Sequence, residues 1–320
     1  MEVAVIGSGR WGTFLAWYLD KIGHAVTLCG RPGSRSIRQL VETHDNGLVT
    51  LPYTVKLTDD YTDALTHEVV LVSVPSQSLR ALMQDLAAMG AAGRLFVLCM
   101  KGLETGTGKR LSEVVAEVAG PANRAAVWLG PGHAQEFTKG VPNCMVIDAP
   151  DEGDRRRLVD AFGSDLIRFY YGEDLIGNEV GAAAKNVVGI AAGMLDGYGL
   201  SSLKGALMSR GTREYARLIK ALGGSELSAY GLCHLGDYEA TVFSPHSHNR
   251  RFGEAFVQGE PFDKLAEGYY TADALRALAQ GTGTELPITE AVYQVLYQGK
   301  PPRQALDGLF SRSLKQEFGA

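Results

Sequence analysis

Glu2-Val3-Ala4-Val5-Ile6 runs directly into Gly7-Ser8-Gly9-Arg10-Trp11-Gly12, and an amphipathic stretch, Trp11–Ile22, follows at once. A short apolar run, a G-x-G-x-x-G loop and a helical pattern in that order open a dinucleotide-binding β-α-β unit. Gly7 permits the tight turn, Gly9 lets the backbone approach a pyrophosphate, and Gly12 lets the helix pack closely on the strand. The spacing alone is weak evidence in a chain with 39 glycines. Its place between strand and helix makes it specific, so Gly7, Ser8, Gly9, Arg10, Trp11 and Gly12 are the expected cofactor loop.

Outward from the loop, short β-rich runs alternate with helical patterns. The expected strands are Glu2–Ile6, Ala25–Cys29, Val69–Val72, Leu95–Leu98, Ala125–Leu129, Cys144–Ile147 and Leu166–Phe169. Several are apolar without alternation, as strands covered on both faces are. Helices are expected at Trp11–Ile22, Ser34–Glu42, Ser76–Leu86, Lys109–Val118 and Glu152–Ala161. This repetition implies a mostly parallel sheet wound by right-handed crossovers. From Asn178 onward strand signals nearly vanish and helical patterns take over, at Asn178–Asp196, Leu203–Ala221, Phe252–Val257, Thr271–Ala279, Ile288–Tyr297 and Pro302–Leu309. The expected fold is an N-terminal Rossmann-like, doubly wound α/β domain over residues 1–175 and an all-α substrate domain over 176–320. The boundary falls near Gly172–Gly177.

Composition agrees. The 320 residues suffice for two domains, and 45% apolar with 21% charged residues is an ordinary globular mix. A net charge of −5 argues against a general nucleic-acid or anionic-membrane binder. Four scattered cysteines suggest neither a disulfide frame nor a metal site. The chain enters its first strand at once and its most hydrophobic stretch, Val187–Leu195, is too short for a bilayer, so the expected location is the cytoplasm.

The second strand ends Leu28-Cys29-Gly30-Arg31-Pro32 with no carboxylate to hold a ribose 2′-hydroxyl. Arg31 there either suits a 2′-phosphate or is a solvated surface arginine; the first reading makes NADP the expected cofactor and NAD the alternative. Pro75-Ser76, after another buried strand, either borders the nicotinamide or only caps its helix. Lys101 follows the strand Leu95–Leu98 and lies over the ligand crevice, unless it is merely a solvated lysine. Lys185 is the sharper candidate. After Glu179, Lys185 and Asn186 are the only strongly polar side chains in more than a dozen small apolar residues. A lysine so placed must find a partner, shift its pKa, face a cavity or snorkel out. As proton donor to a carbonyl, its pKa must fall toward neutrality, and burial with Lys101 nearby pushes that way. A third cluster runs from Gly236-Asp237 to Thr241 and then Ser247-His248-Asn249-Arg250-Arg251, whose second piece either offers hydroxyl, amide and guanidinium groups to a phosphate or is a solvated loop with an N-cap.

Together these pieces resemble the NAD(P)-dependent sn-glycerol-3-phosphate dehydrogenases of the bacterial type. The resemblance covers nearly the whole chain and rests on the order of Gly7–Gly12, Lys101-Gly102-Leu103-Glu104, Gly130-Pro131, Lys185-Asn186, Gly236-Asp237, Ser247 with Asn249-Arg250, Glu267-Gly268 and Pro287–Glu290. It implies interconversion of dihydroxyacetone phosphate and sn-glycerol 3-phosphate, supplying phospholipid backbones, by a homodimer. Lys185 would be the catalytic acid/base, Lys101 would orient substrate, and Asp237 and Asn186 would bond around the carbinol. Gly130, Gly132, Thr241, Ser247, His248 and Asn249 would line the substrate. Pro75, Lys101, Ala134, His248 and Glu267 would complete the cofactor wall.

Two departures stand out. Gly130-Pro131-Gly132-His133 replaces the usual Gly-Pro-Ser or Gly-Pro-Thr and loses a hydroxyl. Ser247-His248-Asn249-Arg250 replaces Ser-Arg-Asn-Arg, so His248 stands where the phosphate-clamping arginine is expected. Thr241-Val242 also replaces a usual Thr-Cys pair. His133, His246, Arg250 and Arg251 are the candidates to compensate. If a protonated His248 grips the phosphate, the Michaelis constant should rise with pH through the histidine range. The alternatives are a reductase of another small carbonyl or 2-hydroxy acid and a non-catalytic NADPH sensor.

Overall fold

The computed structural model describes residues 1–314 together with 316 and 317. Its strands are β1 (Glu2–Ile6), β2 (Ala25–Cys29), β3 (Lys56–Thr58), β4 (Val69–Val72), β5 (Leu95–Leu98), β6 (Arg124–Leu129), β7 (Asn143–Asp148) and β8 (Ile167–Tyr171). They form one sheet in the order β3-β2-β1-β4-β5-β6-β7-β8. Every neighbouring pair is parallel except β6 and β7. Helices α1 (Arg10–Lys21), α2 (Arg35–Thr43), α3 (Tyr61–Ala64), α4 (Leu79–Ala88), α5 (Leu111–Ala119), α6 (Ala134–Thr138) and α7 (Glu152–Phe162) lie between the strands. Strand side chains alternate between two buried faces. Val3 and Val5 pack with Phe14, Leu15 and Leu158 on one, and Ala4 and Ile6 with Leu82, Met83 and Val114 on the other.

One strand, β3, is absent from the sequence expectation. Its three residues, Lys-Leu-Thr, are partly exposed and pair only with β2 at the sheet edge, so no apolar run marks it. The helix expected at Ser76–Leu86 is instead a 3₁₀ turn, Ser76–Ser78, leading into α4.

After β8 the chain is helical: α8 (Leu175–Gly197), α9 (Lys204–Ala221), α10 (His248–Gln258), α11 (Glu267–Thr282), α12 (Pro287–Gln298) and α13 (Pro302–Phe310). Helix α8 is enclosed by α9, α10, α11 and α12, and its first half also reaches β6. Small residues allow this enclosure. A Cβ on Gly193 would lie 1.8 Å from the Arg250 carbonyl oxygen, and one on Gly253 2.0 Å from that of Ile190. Gly193→Ala is therefore expected to destabilise the chain by roughly 2–3 kcal/mol, read from the midpoint of urea unfolding. Helix α10 begins at His248 rather than Phe252 because Ser247 caps it, its hydroxyl accepting from the Arg250 N–H at 3.3 Å. Its polar first turn carries no apolar periodicity to betray it. Among the described residues no helix is long and apolar enough to cross a membrane.

Candidate active site

The sheet order reverses between β1 and β4, and the ligand crevice of such sheets opens there, at the carboxyl ends of the strands. Four connections leave on that edge: the glycine loop after β1, Pro75-Ser76 after β4, Lys101 after β5 and Gly130 after β6. Gly7 has φ +122°, and a Cβ there would sit 2.0 Å from the Ser73 carbonyl oxygen; a Cβ on Gly12 would sit 1.8 Å from that of Gly7. A Cβ on Gly9 would meet nothing within 4 Å, leaving room for a pyrophosphate beside the start of α1. The loop thus fits a dinucleotide on its own geometry. Trp11 packs inward against Phe14, ring centroids 5.0 Å apart, and the Ser8 hydroxyl bonds that of Ser36 at 2.7 Å. Arg31 stands exposed just past β2, whereas Ala134 is buried in the core.

The polar centre lies where β5 meets α8. Lys101 donates to the Gly130 carbonyl at 2.6 Å and to Asp237 Oδ2 at 2.6 Å. Lys185 donates to Thr241 Oγ1 at 2.6 Å and lies 2.9 Å from the same Asp237 Oδ2. One carboxylate oxygen therefore serves two ammonium groups. Asp237 is 1% and Lys185 6% exposed, and Asp237 Oδ1 has no partner among the described residues. Burial lowers the Lys185 pKa to about 8, with Lys101 pushing the same way and Asp237 opposing.

Asn186, next on α8, donates to the Lys101 carbonyl at 3.0 Å and accepts from Asn249 Nδ2 at 3.0 Å. Asn249 Oδ1 in turn accepts from the Gly268 N–H at 2.9 Å. This chain of amides ties Lys101 to α8, α10 and α11. Glu267 spans the same gap: its carboxylate accepts from the Ser76 N–H at 2.9 Å and from the Ser76 hydroxyl. Ser76 thus braces Glu267 instead of capping its own helix.

Sequence reasoning did not single out His234. It is fully buried, its Nδ1 bonded to the Gly181 carbonyl at 2.8 Å and its Nε2 accepting from the Tyr238 hydroxyl at 2.7 Å. It locks the turn carrying Asp237 to α8 one turn before Lys185. Only its nearness to Gly236-Asp237 in sequence could have drawn attention to it.

The departures have local reasons. Gly132 has φ +145°, and a Cβ there would come 2.4 Å from the Phe137 ring, so no hydroxyl residue fits. His133 bonds the Ala240 carbonyl through Nε2 at 3.0 Å, and its pKa is lowered to about 4 by burial and then by Lys185 and Lys101. Arg250 is turned away to Asp196, at 2.8 Å, and Glu254, at 3.1 Å, so it does not compensate for His248. His248 Nδ1 bonds the Leu265 carbonyl at 3.2 Å. Burial, then Arg10, Lys264 and Arg251, push its pKa below the ordinary histidine value. A grip on the phosphate by protonated His248 would therefore act below the ordinary histidine range. A cavity of about 780 Å³ lies elsewhere, among α8, α9, α12 and α13, and no candidate residue lines it.

Residues 2–154 match the family model described as NAD-dependent glycerol-3-phosphate dehydrogenase N-terminus, and residues 174–307 match that of its C-terminus. Glycerol-3-phosphate dehydrogenase (NAD(P)+) of Geobacillus kaustophilus is 39% identical over 99% of this chain and 96% of its own. The protein of the same description from Pelodictyon phaeoclathratiforme is 36% identical over 99% of both. Among solved structures, glycerol-3-phosphate dehydrogenase from Coxiella burnetii superposes with a TM-score of 0.90 at 30% identity, covering 97% of this chain and 99% of its own.

Proposed function

Because the chain belongs to the NAD(P)-dependent glycerol-3-phosphate dehydrogenases, which interconvert dihydroxyacetone phosphate and sn-glycerol 3-phosphate, we propose that Lys185 is its proton donor and Asp237 the group that poises it. The single observation carrying this reading is the Asp237 oxygen shared by Lys101 and Lys185 at the carboxyl end of β5. A bound nicotinamide supplies or accepts the hydride. Lys185 gives its proton to the carbonyl oxygen as the alcohol forms and takes it back in the reverse direction. Lys101, held by the Gly130 carbonyl, aligns the substrate oxygen and keeps Lys185 acidic. The unpaired Asp237 Oδ1 accepts a substrate hydroxyl, since a buried carboxylate oxygen needs a donor. Thr241 and the Asn186–Asn249 pair fix the geometry of these groups. The first test is NADPH oxidation with dihydroxyacetone phosphate against unphosphorylated dihydroxyacetone. A preference below about tenfold would point to another small carbonyl substrate, and NADPH binding without turnover on any carbonyl to a sensor.

Arg31 supports NADP as the favoured form of the cofactor, because a guanidinium past the second strand meets a 2′-phosphate bidentately. Arg31→Ser is expected to raise the Michaelis constant for NADPH about tenfold and to leave that for NADH within about twofold. Equal changes for both cofactors would count against it. The Ser8–Gly9 backbone, Pro75 and Glu267 complete the proposed cofactor wall. Residues 1–175 act as the cofactor domain and 176–320, of which 315 and 318–320 lie outside the described residues, as the substrate domain. We further place the enzyme in the cytoplasm as a homodimer feeding glycerophospholipid synthesis. Sedimentation equilibrium measures the pairing.

A further inference from the structure

Two buried carboxylates of the helical domain are anchored by backbone N–H groups, Glu179 by that of Ser112 and Glu214 by those of Ile288 and Thr289. Asp237 differs. Among the described residues its Oδ2 meets only the two ammonium groups, and its Oδ1 has no partner. Two lysines on flexible stems attract the carboxylate but do not fix the turn that carries it. That turn is irregular: Leu235–Asp237 is a single 3₁₀ turn, and Glu239–Phe243 after it winds into one π turn. Such short pieces hold little stability of their own, so the place of Asp237 depends on side-chain ties around it.

His234 supplies them. Its Nδ1–H donates to the Gly181 carbonyl at 2.8 Å, and its Nε2 accepts from the Tyr238 hydroxyl at 2.7 Å. The clasp closes across Asp237, three residues after His234 and one before Tyr238. Gly181 lies four residues before Lys185 and so on the same face of α8. A Cβ on Gly181 would lie 3.0 Å from that of His234, so the ring is seated closely on the helix. Tyr215 of α9 packs edge-on against the imidazole, ring centroids 5.2 Å apart, and His234 and Tyr238 are both fully buried.

We propose that His234, clasped to Tyr238, is a positioning residue of the reaction, holding Asp237 Oδ2 within reach of both Lys101 and Lys185. The proposal rests on the reading of Lys185 as proton donor. Asp237 raises the Lys185 pKa against burial and Lys101, so a loosened turn leaves a more acidic lysine. The other titratable groups around Lys185 do not change charge near neutral pH. Burial lowers His133 and His234 to about 4 and pushes the Cys233 thiol and the Tyr238 hydroxyl well above their ordinary values.

The test is the pH dependence of single-turnover ketone reduction in the unaltered enzyme, in Tyr238→Phe and in His234→Asn, each change also made in the Asp237→Asn background. Tyr238→Phe keeps the packed ring and loses only the hydroxyl, a change that folding tolerates. His234→Asn keeps a donor for the Gly181 carbonyl and loses the acceptor for Tyr238. Either variant should move the alkaline limb down by about half a unit or more. The rate at neutral pH should fall about tenfold while NADPH affinity stays within about twofold. In the Asp237→Asn background neither change should move the limb further, since the carboxylate through which the clasp acts is gone. A limb that is present in the unaltered enzyme, lost in Lys185→Met and unmoved by both clasp variants overturns the proposal alone, even if their urea midpoints fall. An equal further shift in the Asp237→Asn background also overturns it, because the clasp then acts by another route. Absence of the limb from the unaltered enzyme overturns the reading of Lys185 and the clasp with it.

Discussion

Lys185→Met is expected to lower kcat for ketone reduction by roughly a thousandfold while NADPH binds as before. General-acid catalysis by a positioned side chain contributes ~10²–10⁴-fold, and Lys185 is, among the described residues, the cation that meets both Asp237 and Thr241 inside the site. Methionine fills a similar volume without a charge, so α8 keeps its packing and Asp237 keeps Lys101 as a partner. Single-turnover hydride transfer and a fluorescence titration with NADPH separate the step lost from the binding retained. A variant turning over within about tenfold of the original would remove Lys185 from the chemistry.

Asp237→Asn has the second-largest expected effect, and its signature is in pH. The carboxylate holds the Lys185 pKa up against burial and Lys101. With an amide in its place both remaining influences depress the ammonium, so the alkaline limb of reduction should move down by about one unit or more. At neutral pH kcat should fall roughly a hundredfold. Stability follows the same linkage. A folded-state lysine pKa pushed below the unfolded value means that the unfolded chain binds more protons between those two values. The variant's deficit against the original enzyme should therefore be full at pH below its own, lower folded lysine pKa and close as pH rises to about 8, the original's folded value, above which the two change in parallel. An unmoved pH profile would show that Asp237 is only structural.

Much of this was legible in the sequence because it depends on local pattern. The glycine loop, seven of the eight strands and the lone lysine of α8 are each marked by periodicity, turn residues or a polar side chain in an apolar helix. Even the downward shift of Lys185 follows from its being buried near Lys101. What stayed hidden depends on contacts between distant segments. That one oxygen of Asp237 serves two lysines, that Asn186 turns to the Lys101 carbonyl, and that Ser76 braces Glu267 are matters of tertiary placement. Arg250 is the instructive case: sequence position made it a candidate phosphate ligand, and the acidic end of α8 took it instead. Gly132 shows the reverse, a loss of a hydroxyl that reads as a functional change and is dictated by the Phe137 ring.

The most direct test of the central claim is the pH dependence of single-turnover hydride transfer in both directions with the unaltered enzyme. If Lys185 gives and takes the proton, ketone reduction must decline as pH rises through about 8, where the ammonium is lost, and alcohol oxidation must rise over the same range. Opposite slopes crossing near that pH would establish the lysine as the acid/base. Rates flat in both directions from about pH 6 to about pH 10 would contradict it and send the search for a proton donor elsewhere in the crevice.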